Sequence, residues 1–288
     1  MRQDFAWMVR PTGQEAWVGG KGTIVWLSFA FGLVGAGSYL ISLLFGSLVA
    51  LVVSWAIVTV LKNLAHLLHA KRPAGMWRMI LRPGTSWIAR GTIITALFSG
   101  VGFIQLLVTG FAPGTVVETV FKVIAGLLAF GIIVYEGCTL GNTRAIPLWN
   151  NGMVPVLFVL WSVAVGFGFV SAANHAETGQ RVVAEVVAGL SAALLVCMAL
   201  YLWGARQSGG AAAASAAEIV SGSLAPVFWL LVVLVGTVAP GVIFAYAAVA
   251  DAVVSLAAAI VAFVCQVVGS TAFVYCLFRA GKYRPVVD

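Results

Sequence analysis

The residues of this 288-residue sequence whose types could do chemistry are few: three histidines, four cysteines, and a handful of polar side chains set in long apolar runs. His66 and His69 stand one helical turn apart, and His175 lies far along the chain. Two histidines on one helix cannot take opposite axial positions of one haem, so a membrane haem would need a His/Met set or a His66–His175 pair. Cys138, Cys197, Cys265 and Cys276 show no CxxC spacing, which removes the usual iron–sulfur and zinc arrangements. They read as small buried apolar side chains. The chain is therefore expected to carry no metal of its own.

An ionisable group inside an apolar run is costly and is a functional candidate by default. Glu136 stands near the end of such a run, beside Tyr135. Gln105 and Gln266 fall mid-run and read as hydrogen-bonding contacts between helices. Lys122, Glu185 and Asp251 fall near run ends and are expected to reach the membrane interface. No ladder of acids or histidines crosses the bilayer, which argues against a dedicated proton channel. The stretch LLHAKRPAGMWRMILRPGTSWIAR holds Lys71, Arg72, Arg78, Arg82 and Arg90 and no acid. Arginines of this kind suit a docking surface for carboxylates of a partner protein; contact with anionic phospholipid is the alternative.

The elements that must position these residues follow from composition. Hydrophobic residues make up 62% of the chain and charged residues 9%, against about 25% charged in soluble domains. Continuous apolar runs, each long enough to cross a bilayer core that takes about 20 helical residues, predict an all-α integral membrane bundle of eight transmembrane helices. The spans are placed at about 22–43, 46–69, 87–111, 116–140, 153–174, 182–204, 222–247 and 251–279. Residues 1–21 form an N-terminal interfacial arm with Trp7 and Trp17 as anchors. The transmembrane domain runs over 22–281, and 282–288 form a tail. Gln207–Glu218, QSGGAAAASAAE, reads as a small-residue linker. In the first span Ser28, Gly32 and Ala36, with Gly35 and Gly37 alongside, give a face that lets another helix approach closely.

Eight spans put both termini on one side, here face A. Fourteen of the sixteen Lys and Arg residues then fall on face A, Lys62 counted among them, and only Lys122 and Arg181 on face B. By the positive-inside rule face A is cytoplasmic, which predicts a multi-pass protein of a bacterial or archaeal inner membrane.

Three segments carry a resemblance. HAKRPAGMWRMILRPGTSWIARG (His69–Gly91) is similar to the end of helix two and start of helix three in the NrfD/PsrC-like membrane-anchor family of polysulfide reductase and DMSO reductase type complexes. His69, Arg72, Pro73, Trp77, Arg78, Pro83, Ser86, Trp87 and Arg90 match, whereas Ala70 and Lys71 replace the commoner Leu-Gly. YEGCTLGNTRAIPLWNNGMVPVLFVLWSVAVGFG (Tyr135–Gly168) resembles the family pattern after helix four, with Glu136 in place of the usual Thr. FRAGKYRP (Phe278–Pro285) resembles its C-terminal ending.

The resemblance implies an anchor that holds no metal and partners a four-cluster iron–sulfur subunit and a molybdenum or tungsten catalytic subunit, as in anaerobic respiration. It would bind a quinone, ubiquinone or menaquinone, near the face where the iron–sulfur subunit docks. The quinone candidates are Tyr135, which matches the family tyrosine, His69 and Arg72 at the same face, Glu136 beside Tyr135, and Trp17, which with Gln14 and Glu15 stands where the family often has His or Asn. Glu136, as a departure from the pattern, is the candidate proton relay. For docking they are Lys71, Arg78, Arg82 and Arg90. Membrane lipid is the other partner, and no nucleic acid is expected. A haem b anchor, a small-solute transporter and a structural tether are the competing readings.

Overall fold

The computed structural model describes residues 15–20, 22–45, 47–70, 73–174 and 180–284. It is all-helical, with eight helices long and apolar enough to cross a membrane. Span 1 is Gly22–Phe45, span 2 Leu48–His69, span 3 Trp87–Phe111, span 4 Val116–Gly141, span 5 Met153–Ala173, span 6 Arg181–Gln207, span 7 Val227–Val249 and span 8 Leu256–Ala280. The apolar runs dictate this outcome because a bilayer core leaves backbone groups no water, and a helix satisfies them within the segment. Ser47, Ser86, Thr115 and Ser255 cap the starts of spans 2, 3, 4 and 8, each side chain accepting a backbone N–H three residues on.

Both described ends of the chain lie together, as an even number of spans requires. Trp17 Nε1 donates to the Tyr283 hydroxyl at 3.1 Å, and the Arg284 N–H donates to the Ala145 carbonyl at 2.9 Å. These contacts, with the loops after spans 2, 4 and 6, define face A.

Span 1 is the spine of the bundle, two-thirds buried where spans 2, 3, 4, 6 and 7 are one-third buried. Its small residues explain this, because each accepts a different neighbour. A side chain at Gly32 would overlap the Glu136 carboxylate, one at Gly35 would meet Ile57 and Val58, and one at Gly37 would strike the backbone of Ser162. Spans 1 and 5 therefore touch backbone to backbone. The outer faces carry exposed apolar side chains such as Leu97, Leu127 and Val242, the surface that lipid covers.

The structure differs from the sequence reading in three places. The stretch read as a linker holds a helix, Gly210–Val220. Gly209 and Gly210 make the reversal out of span 6 with φ of 70° and 51°, a left-handed turn that glycine adopts without steric cost. The alanines that follow are the strongest helix formers, and Ser215 accepts the Lys282 N–H at 3.1 Å. Span 8 starts at Leu256 rather than 251, because Ser255 caps it. Spans 2 and 7 each contain a stretch of wider π turns, Ile57–Lys62 and Val227–Val238, a feature frequent at functional sites.

Candidate functional site

Four spans converge on one ion pair. Lys62, counted with the face-A cations from sequence, stands inside span 2, seven residues before its end at His69, or about 10 Å along the axis. Its side chain is fully buried and its Nζ lies 2.5 Å from Glu136 Oε1, also fully buried, on span 4. Removing Lys62 from the face-A tally leaves the charge bias intact. The π stretch of span 2 ends on Lys62 itself. Its wider turns change the rotation of that residue relative to an unbroken α-helix, so the register that meets Glu136 depends on them.

The surroundings are aromatic and close. Lys62 Nζ lies 5.2 Å from the centre of the Tyr135 ring and 5.7 Å from that of Phe29, within the range of cation–π attraction. The Tyr135 ring fills the space a side chain at Gly91 of span 3 would need, and Glu136 lies against Gly32 of span 1. His66 Nε2 is 3.4 Å from Lys62 Nζ, one turn nearer face A. Two buried charges are tolerated only when they neutralise each other and hydrogen-bond well. Glu136 does so with one oxygen: its Oε2 is buried and, among the described residues, has no hydrogen-bond partner.

Of the residues expected to bind quinone, Tyr135 and Glu136 belong to this cluster. His69 closes span 2 one turn beyond His66, with an exposed side chain. Arg72, with Lys71 of the docking set, lies outside the described residues. Trp17 belongs to a neighbouring aromatic group: its ring meets Trp149 edge-on at 5.5 Å and Phe278 at 6.3 Å. Phe278 in turn meets Phe29 at 5.2 Å, so Phe29 joins that group to the Lys62 cluster.

The basic loop contains a 3₁₀ segment, Pro73–Leu81, which exposes Trp77, Arg78, Ile80 and Leu81, and Arg82 follows exposed. Arg90 is turned back on the loop: its guanidinium donates to the Pro83 and Gly84 carbonyls at 2.7 Å each and stacks over Trp87 at 4.5 Å. Arg90 thus fixes the shape of the surface on which Arg78 and Arg82 are displayed.

A second polar group occupies the face-B half of spans 1, 3 and 4. Tyr39 donates to Gln105 Oε1 at 2.6 Å, Gln105 Nε2 to Thr109 Oγ1 at 2.7 Å, and Thr109 to Glu118 Oε1 at 2.8 Å. Lys122 pairs with Glu118 Oε1 at 2.8 Å, and the Gly114 N–H reaches Oε2 at 2.6 Å. Gln105 thus bonds across helices, as expected. Gln266 does not: its Oε1 is buried at Gly168 and has no partner among the described residues. On face B, Arg181 holds Glu185 and Asp251, each at 3.1 Å, at the interface.

Lys62 is the residue the sequence reading misplaced. It lies within the apolar run assigned to span 2, four residues before His66 and seven before His69, hence on one helical face with both. Weighing it as an intramembrane charge rather than a loop cation is the step that would have found it.

The fold and this cluster define an eight-span membrane protein with a neutralised charge pair beneath one face. The model of the family described as polysulphide reductase, NrfD, matches residues 19–285, nearly the whole chain, and the chain belongs to that family. Comparison with curated proteins returned no match.

Proposed function

We propose that this chain is the membrane anchor of a polysulfide-reductase-type complex, passing electrons between a membrane quinone and a four-cluster iron–sulfur subunit that serves a molybdenum or tungsten catalytic subunit. Family membership supports the anchor role. The observation that carries the quinone reading is the gathering of Tyr135, Glu136 and Lys62 from spans 2 and 4 under the face where the basic loop emerges. The unpartnered Glu136 Oε2 is an acceptor left over after the protein's own hydrogen bonds are made, and the aromatic group from Phe29 to Trp17 offers flat apolar surface beside it. The aromatic surface suits a flat ring, while the open oxygen accepts from a quinol hydroxyl as a carboxylate and donates to a quinone carbonyl only once protonated.

Bound there, a quinone supplies two-electron, two-proton chemistry. The Tyr135 hydroxyl and the His69 ring are the groups assigned to hydrogen-bond its oxygens, with Trp17 as part of the wall of the site; Arg72, outside the described residues, is assigned from the sequence alone. Glu136 handles a proton. Arg78 and Arg82, exposed on the loop that Arg90 clasps, are assigned to carboxylates of the iron–sulfur subunit. Face A, holding most of the cations, is taken as the cytoplasmic face of a bacterial or archaeal inner membrane.

The test is purification of the tagged chain from its native membrane. The expected result is recovery of iron–sulfur and molybdenum or tungsten subunits, reduction of the clusters by added quinol, inhibition by quinone analogues, and loss of partner recovery in Arg78→Ala/Arg82→Ala. A chain that isolates alone and is indifferent to quinol contradicts the reading.

A further inference from the structure

The cluster contains more than quinone binding requires. A hydroxyl or an imidazole at position 136 would suffice to hold a quinone oxygen. Here a carboxylate stands there, and a lysine on another span neutralises it. A purely structural buried pair is expected to satisfy both carboxylate oxygens. This one leaves Oε2 without a partner among the described residues while Oε1 is held at 2.5 Å.

Such a pair has two electrostatic states. With Glu136 ionised it is neutral. With a proton on Oε2 it carries one positive charge, on Lys62, and that state is favoured when negative charge arrives beside it in a medium of low dielectric. We propose that Lys62 and Glu136 form a proton-loading pair: Glu136 takes a proton on Oε2 as electrons reach the neighbouring quinone site and releases it as they leave. Lys62 is the positioning residue that holds Oε1 and keeps Oε2 as the exchanging atom. This deepens the quinone reading and rests on it.

In the loading step an O–H bond forms at Oε2 as one breaks in a hydronium ion of the water at face A, which is left as water. No electron moves in that step; the electrons are those of the iron–sulfur partner or of the quinol. His66, 3.4 Å from Lys62 Nζ, and His69 one turn beyond line the way to face A. Among the described residues, the titratable and charged groups on the spans packed around Glu136 at this end are Lys62, His66 and His69 from span 2, Tyr135 and Cys138 from span 4, and Arg90 from span 3. Spans 1 and 5, which also pack on span 4, contain no charged residue or histidine.

The experiment uses the purified complex and four forms of the chain: wild type, Glu136→Gln, Glu136→Asp and Lys62→Met/Glu136→Met. The double variant replaces both charges with apolar side chains and so leaves no unpaired charge to unfold the bundle. Infrared difference spectra between quinol-reduced and oxidised complex are expected to show a carboxyl band that disappears in Glu136→Gln and returns, shifted, in Glu136→Asp. The pH profile of quinol-linked electron flow is expected to lose one limb in the double variant, with at least a ten-fold loss of rate at its optimum. A carboxyl band that persists in Glu136→Gln overturns the proposal, as does a double variant within two-fold of wild type at every pH. If quinol drives no electron flow even in wild type, the quinone reading falls. The pair is then decided by infrared spectra recorded against pH, which need no quinone. A Glu136 carboxyl that gains and loses its proton supports loading, and one that stays ionised throughout overturns it.

Discussion

Glu136 and Glu118 sit on the same helix, five turns apart, and each faces a lysine, yet their surroundings differ in kind. Glu118 is the third residue of span 4, in the Thr-x-x-Glu pattern of a capping box. Both its oxygens are used: one by Thr109 and Lys122, the other by the Gly114 N–H. It fixes a helix start and anchors a string of hydrogen bonds reaching Tyr39. Glu136 is deeper and, among the described residues, has one partner and keeps one oxygen unused. A carboxylate with both oxygens committed is held in place by its neighbours. One with an open oxygen can still accept a proton or a ligand's hydrogen bond there. The comparison teaches that the chain has one polar centre whose groups are matched to one another and another that, among the described residues, keeps a buried acceptor open.

The largest expected effect separates the two directly. Lys62→Ala leaves Glu136 charged, buried and alone, and is expected to cost about 3–5 kcal/mol of stability, read as a lower midpoint of thermal unfolding in detergent. Lys62→Met/Glu136→Met should recover most of that loss. Equal stability of the single and double variants would place the pair on the same footing as Glu118. Next, Gly32→Ala pushes a methyl group into the space of the Glu136 carboxylate. It should lower the unfolding midpoint clearly in wild type and much less when residue 136 is alanine and residue 62 methionine. Glu118→Gln keeps the shape of the cap and lies near water, so its loss should be smaller than either, and the infrared band assigned to Glu136 should be unchanged. The smallest effect is expected at Arg90. Arg90→Ala releases the Pro83 and Gly84 carbonyls and should cost about 1 kcal/mol. It is seen best as faster proteolysis within 82–86, with the spans intact.

Much of this architecture is readable without coordinates, because a lipid solvent leaves few options. Each apolar run of the right length becomes a helix, and Phe45-Gly46 and the Pro/Gly-rich loops end them where the structure does, within a few residues. Tyr135 and Glu136 stand out because an acid in an apolar run is conspicuous. Lys62 is harder to see: a charge tally assigns a lysine near a span end to the nearest interface, and only the third dimension shows that an acid 74 positions away lies within reach of it. The Gly210–Val220 helix is hidden for another reason. Gly, Ala and Ser together signal a flexible linker by composition, while alanine alone signals helix, and docking against the C-terminal segment decides between them. The string from Tyr39 to Glu118 is likewise invisible in one dimension, since its four members come from three spans.

The account stands on a quinone binding at the face-A end of spans 2 and 4, and photoaffinity labelling tests that most directly. The intact complex, illuminated with an azido-quinone and digested, should yield labelled peptides from His66–Arg72 and Ile132–Thr139, with labelling suppressed by excess unmodified quinone. Label confined to spans 6, 7 and 8 would contradict it, above all at the cavity of about 280 Å³ lined by Trp203, Arg206 and Trp229.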